Sequence, residues 1–177
     1  MQISPDAGRA PTTRAPHALR DPRHRVSRRA IWFWTVRALV GWVVVLAIEY
    51  VILCVGEHHI AAWRYAVLIA TAAVAFGHVV VMPQWRYRVH RWEITEQAAY
   101  TQAGWFNQER RIAPVSRIQT VDLHRGPLEQ VFRLANVTIT TASAAGPLKI
   151  HGLDGRTAEQ VVEQLTARVQ AVGGDAT

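Results

Sequence analysis

The chain has 177 residues, half of them apolar, and a formal net charge of +7 to which Lys149 contributes the only lysine. That length accommodates one domain of ordinary size together with a membrane anchor. The single cysteine, Cys54, excludes internal disulfides, a thiol metal cluster and a redox pair, and long apolar runs beside the arginines point to an anionic membrane surface rather than to nucleic acid.

Residues 1–30 are almost free of large apolar groups. They hold Pro5, Pro11, Pro16 and Pro22, with Arg9, Arg14, Arg20, Arg23, Arg25, Arg28 and Arg29 against only Asp6 and Asp21. Such a segment cannot build a core and reads as a disordered basic tail, whose arginines either lie on anionic headgroups or merely set topology. It is not a cleavable signal peptide, because the apolar run that follows begins too late, is too long and lacks a small-residue cleavage site.

Residues 31–83 read as a transmembrane helical hairpin. Ala38 to Val55 carries Glu49 as its only charge, and Tyr65 to Met82 carries none. A helical run of 18 residues covers about 27 Å, close to a hydrocarbon core of about 30 Å. Trp32, Trp34, Trp63 and Trp85 bracket the two runs, as interfacial rings do. Two buried helices of a soluble protein would need a larger partner domain than the chain offers. Cys54, among Val, Ile and Leu, reads as a small hydrophobe. Only Gly56 to Arg64 join the runs, so the helices must be antiparallel. Arginines before the first run and Arg86, Arg88 and Arg91 after the second place both termini in the cytoplasm of a multi-pass protein of the cell membrane.

An ionisable residue inside a span is a functional candidate by default, and Glu49 and His78 are the two here. In a symmetric hairpin Glu49 lies about 16 Å from the cytoplasmic end and His78 about 6 Å, at the helical rise. Their depths differ, which argues against a direct proton relay. Thr71 is the residue of the second helix nearest in depth to Glu49, and its hydroxyl can satisfy a protonated carboxyl. Ala62, Ala66 and Ala70, and Ala73 with Gly77, give the second helix small faces for close packing.

From Arg86 onward the pattern shortens and alternates. Residues 86–95, 99–106, 108–112, 118–123, 136–141 and 148–151 are expected strands, several separated by turn-formers such as Gly104, Pro114 and Gly146–Pro147. Val137 and Ile139 share one face of the clearest strand. A final helix is signalled by Thr157 with Gln160 as a capping box and by the apolar face of Ala158, Val161, Val162, Leu165, Val169 and Val172, ending at Gly173–Gly174. The soluble domain is expected over 84–173 and a disordered C-terminus over 174–177.

The run Arg110-Arg-Ile-Ala-Pro-Val-Ser-Arg-Ile-Gln-Thr-Val121, followed by Leu128-Glu-Gln-Val-Phe-Arg-Leu-Ala135 leading into the Val137/Ile139 strand, resembles the bacterial pleckstrin-homology domains of the YdbS-like membrane-protein family. The resemblance covers about residues 84–172, and the preceding hairpin fits the same architecture. One departure is Arg133, where the family usually has glycine. The resemblance implies an α+β fold: a PH-like antiparallel β-barrel or sandwich capped by the C-terminal amphipathic helix. It carries no catalytic residues and no cofactor. The turn that corresponds to a phosphoinositide loop, Thr95-Glu-Gln97, is short and acidic and does not support headgroup binding there.

No P-loop, dinucleotide glycine pattern, HExxH or zinc spacing is present. Asp122 and His124 share a strand face with Ser116 nearby, but a triad is defined by geometry, and they read as surface residues. Glu57-His58-His59 in the loop offers no further metal ligand. Arg28, Arg29, Arg86, Arg88 and Arg91 are expected at the membrane surface, with Arg110 and Arg111 as a further basic pair. The function expected is a non-catalytic, membrane-anchored interaction module whose partner is another PH-like membrane protein or a second copy. The alternative is a small oligomeric transport or proton-linked protein using Glu49 and His78.

Overall fold

Runs rich in Val, Ala, Leu and Ile, whose backbone groups pair within their own helix, form α1 (Arg29–Val55) and α2 (Ala62–Val89). The computed structural model describes residues 21–55, 62–104, 107–144 and 146–174. The helices pack antiparallel, with Glu49 level with Thr71, Trp42 with His78 and Trp34 with Arg86. Their outer faces are continuous apolar surface: Val43, Ile52, Ile69 and Phe76 are each more than half exposed. A surface of that extent is stable in hydrocarbon and not in water. The protein is a membrane protein, and these are its two candidate spans. Both helices outrun the expected spans at the same end, so α1 before Ala38 and α2 after Met82 stand as a short stalk.

The stalk leads directly into the soluble domain. Strand formation was expected from Arg86, but α2 continues to Val89, where the His90 backbone N–H and ring Nδ1–H both donate to the Arg86 carbonyl and close the helix. One sheet then has the order β1 (His24–Arg25), β2 (Arg91–Ile94), β3 (Ala98–Ala103), β4 (Glu109–Pro114). The other is β5 (Ile118–His124), β6 (Leu134–Thr141), β7 (Leu148–Asp154), all pairs antiparallel. A 3-10 turn at Val115–Arg117 carries the chain between them, and a short helix, α3 (Pro127–Val131), precedes β6. The fold is α+β with two packed sheets, as expected, but the sheets do not close into a barrel. Between the β4 and β7 edges stands Arg111, whose guanidinium donates to the Pro147 carbonyl at 3.1 Å in place of a ladder.

The domain core gathers Ala99, Ala113, Ile118, Ala135, Val137, Ile139, Leu148, Ile150 and Leu153 from the two sheets and Val115 from the 3-10 turn between them. It is closed by Ala158, Val161 and Leu165 of α4 (Gly155–Gly174), the face read from the helical spacing. The helix starts earlier than the Thr157 capping box would place it. Asp154 is its cap, accepting from the Arg156 backbone N–H at 3.3 Å.

The expected disordered tail requires correction for residues 21–30. Strand β1 pairs His24 with Trp92 and Arg25 with Arg91, and Val26 and Ala30 are buried. Burial of Val26 and Ala30 with Phe33, Trp34 and Leu134, together with the strand pairing, orders an otherwise polar segment. Residues 1–20, the loop residues Glu57, His58 and His59, and residues 175–177 lie outside the described residues.

Candidate functional site

Within the stalk, the first turns of α1 carry Ala30, Phe33 and Trp34 on one face, and these enter the soluble domain. With Val26 and Leu134 they form a second core, bordered by Tyr87, Trp92 and Phe132. Phe33 meets Phe132 edge to face at 6.1 Å between centroids. Gly152 makes the close approach possible. Its φ is +74°, and a Cβ there would stand 3.0 Å from the Ala30 Cβ and 3.5 Å from the Trp34 ring. Its carbonyl accepts from the Ser27 N–H at 2.9 Å and its N–H donates to Asn136 Oδ1 at 3.0 Å. Asn136 Nδ2 in turn donates to Glu129 at 2.6 Å, and Glu129 also accepts from the Gly126 N–H at the start of α3. One hydrogen-bonded line thus runs from α3 through β6 and β7 to the start of α1. Asp154 adds an ion pair to Arg29 at 3.0 Å.

Beside this core sit two histidines. His90, 4% exposed, stacks obliquely against Trp34 at 5.3 Å. Desolvation, reinforced by the Arg86 charge, pushes its pKa down to about 4. His151 is lowered by burial first, then by Arg86 and Lys149. Both are therefore neutral near pH 7.

The sequence-derived residues distribute unevenly. Arg86 lies over the Trp34 ring at 4.6 Å, a cation–π contact that holds α2 to α1. Arg29 is engaged by Asp154, and Arg91 faces Arg25 across the β1–β2 ladder. Arg28 and Arg88 are exposed and line a groove with Arg25, Ile31, Gln84 and Tyr87. Arg110 pairs with Asp21 at 2.6 Å, and Arg111 with Glu109 at 2.6 Å. In the hairpin, the Thr71 hydroxyl is 3.5 Å from Glu49 Oε1, at the limit of a hydrogen bond. Trp42 Nε1–H donates to His78 Nδ1 at 3.0 Å, two turns nearer the domain. The structure does not bring Glu49 and His78 together. Asp122 and His124 stay exposed on β5, Asp122 accepting from Thr120 at 3.1 Å, and Ser116 is exposed in the 3-10 turn.

Sequence reasoning missed Arg25, which it assigned to the tail, and His90, which it placed inside a strand. Nothing local to either residue marks it. Each becomes part of the junction through β1–β2 pairing and the extra turns of α2.

The family model of the bacterial PH domain matches residues 30–169, taking in the hairpin as well as the two sheets. The UPF0699 transmembrane protein YdbS of Bacillus subtilis (strain 168) is 29% identical over 126 residues, covering 69% of this chain and 78% of that protein. No solved structure matches significantly.

Proposed function

Because the chain belongs to the bacterial PH-domain family, we propose that it is a non-catalytic protein-interaction module, held by its hairpin at the cytoplasmic face of the membrane with both termini cytoplasmic. The observation that carries this reading is the shared core of Val26, Ala30, Phe33, Trp34 and Leu134. It joins the sheets rigidly to the stalk, so the domain presents a fixed face to the cytoplasm rather than swinging on a linker. A free tether would suit an enzyme that samples substrate. A fixed mount suits a subunit that docks. Three large apolar side chains of the domain are left exposed and are candidate docking contacts: Ile112 of β4 and Leu128 and Val131 of α3, at 49%, 42% and 76%.

Photo-crosslinking in intact membranes tests the proposal. A crosslinking side chain at Val131 or Ile112 should give a discrete adduct with one protein or a second copy, while the same group at Glu163 on α4 should not. A monomer by light scattering in nanodiscs, with no adduct from any of the three positions, overturns it. Topology is checked separately with Thr166→Cys on a Cys54→Ser background, which should resist a membrane-impermeant thiol reagent until the cells are opened.

A further inference from the structure

Several arginines around the junction already have an anion. Arg23, Arg29, Arg110, Arg111 and Arg125 sit on Glu93, Asp154, Asp21, Glu109 and Glu159 respectively. Arg25, Arg28 and Arg88 have no carboxylate partner among the described residues, yet they converge on one groove between the N-terminus of α1, the end of α2 and β1. Arg25 is, moreover, directly opposite Arg91 across the β1–β2 ladder. Like charges in that position destabilise a strand pair unless an anion lies between or beside them. The guanidinium of Arg25 rests 5.9 Å from the centre of the Tyr87 ring, which orients it along the groove wall.

The depth of the groove fixes what can reach it. Gln84, Tyr87 and Arg88 follow Met82, the end of the apolar run, by about 3 to 9 Å along α2 at the helical rise. That range begins within the headgroup layer, which extends about 5–7 Å beyond the hydrocarbon on each side, and ends at its outer edge. Trp32 and Trp85, 67% and 49% exposed, stand at the same end of the two helices as interfacial anchors. Arginine forks bind phosphate oxygens in pairs of parallel hydrogen bonds. Gln84 and Tyr87 supply neutral donors on the α2 side, and Ile31 offers apolar wall on the side of α1.

We propose that this groove is a binding site for the phosphate of an anionic phospholipid, with Arg25, Arg28 and Arg88 as its cationic ligands. The site does not depend on the docking role of the soluble domain. It takes a lipid rather than a soluble anion because the glycerol and acyl chains of a bound lipid run down the exposed helix faces below it.

Native mass spectrometry of the full chain, purified in detergent, tests this with three probes: phosphatidylglycerol, phosphatidylcholine and inorganic phosphate. One phosphatidylglycerol should be retained about tenfold or more tightly than phosphatidylcholine, and millimolar phosphate should not displace it. The combined Arg25→Gln, Arg28→Gln and Arg88→Gln variant should lose about tenfold to a hundredfold in affinity. The equally discharged Arg117→Gln, Arg133→Gln and Arg156→Gln variant should bind as the parent does. Circular dichroism and elution volume report folding. Should the triple variant unfold, Arg88→Gln alone, on the exposed side of α2, should still weaken retention several-fold. Equal retention of the two lipids, equal losses in both triple variants, or displacement by phosphate overturns the proposal.

Discussion

The two ends of α1 obey different rules. Toward Val55 the helix is apolar apart from Glu49, its polar contacts with α2 include the Trp42–His78 and Thr71–Glu49 pairs, and most of its large side chains face outward. Toward Arg29 the same helix buries Ala30, Phe33 and Trp34 against a sheet. In lipid, association brings little hydrophobic gain, since the surrounding chains are as apolar as the side chains. At the base, water is the competing solvent and burial stabilises strongly. The junction should therefore carry far more stability than the mid-membrane contacts, although both are built from tryptophans on one helix.

The sharpest test of that contrast is Trp34→Ala, which removes the ring shared by Phe33's core, His90 and Arg86. It should cost about 3–5 kcal/mol, read as a lowered thermal midpoint in detergent. Gly152→Val should cost about 2–4 kcal/mol, combining a positive-φ strain with a Cβ against Ala30 and Trp34. Hydrogen exchange should then show β7 and the first turns of α1 opening together. If either loses less than the mid-membrane substitution below, the junction is not the stable element.

His90 extends the same comparison to pH. Its folded pKa of about 4 lies below the ordinary histidine value. The stabilising contribution is therefore complete above the unfolded pKa of about 6.5. It declines as pH falls toward 4, because the unfolded chain takes up the proton first. A loss on the order of 2 kcal/mol between pH 7 and pH 4 is expected, and His151 acts in the same direction. His90→Phe should flatten the profile of thermal midpoint against pH. At the other end of α1, Trp42→Phe deletes the hydrogen bond to His78 and should cost only about 0.6 kcal/mol, the average for such bonds between membrane helices.

Much of this architecture was legible residue by residue. The alternation at Val137 and Ile139 and the spacing of Ala158, Val161 and Leu165 identified core faces, and all five are at most 2% exposed. The resemblance located the turn at Arg133, where the family usually has glycine. The backbone there has φ +55°, the left-handed conformation that glycine adopts freely. Helix α3 was not legible, being five residues long and stabilised at its start by Glu129, which also serves Asn136. Nor was β1, two residues whose register comes from a strand more than sixty positions away.

By itself the sequence determined that two helices enter a membrane, because each apolar run selects its own solvent without help from the rest of the chain. It also determined which strand and helix faces point inward, since periods of 2 and 3.6 are local properties. Only the tertiary structure decided where the hairpin ends and the domain begins: Ala30 and Trp34 meet Gly152 through pairing across more than a hundred residues. It also decided which arginines are neutralised and which face the groove at the hairpin base. A charge's partner is set by proximity in space, and no local pattern in the chain records it.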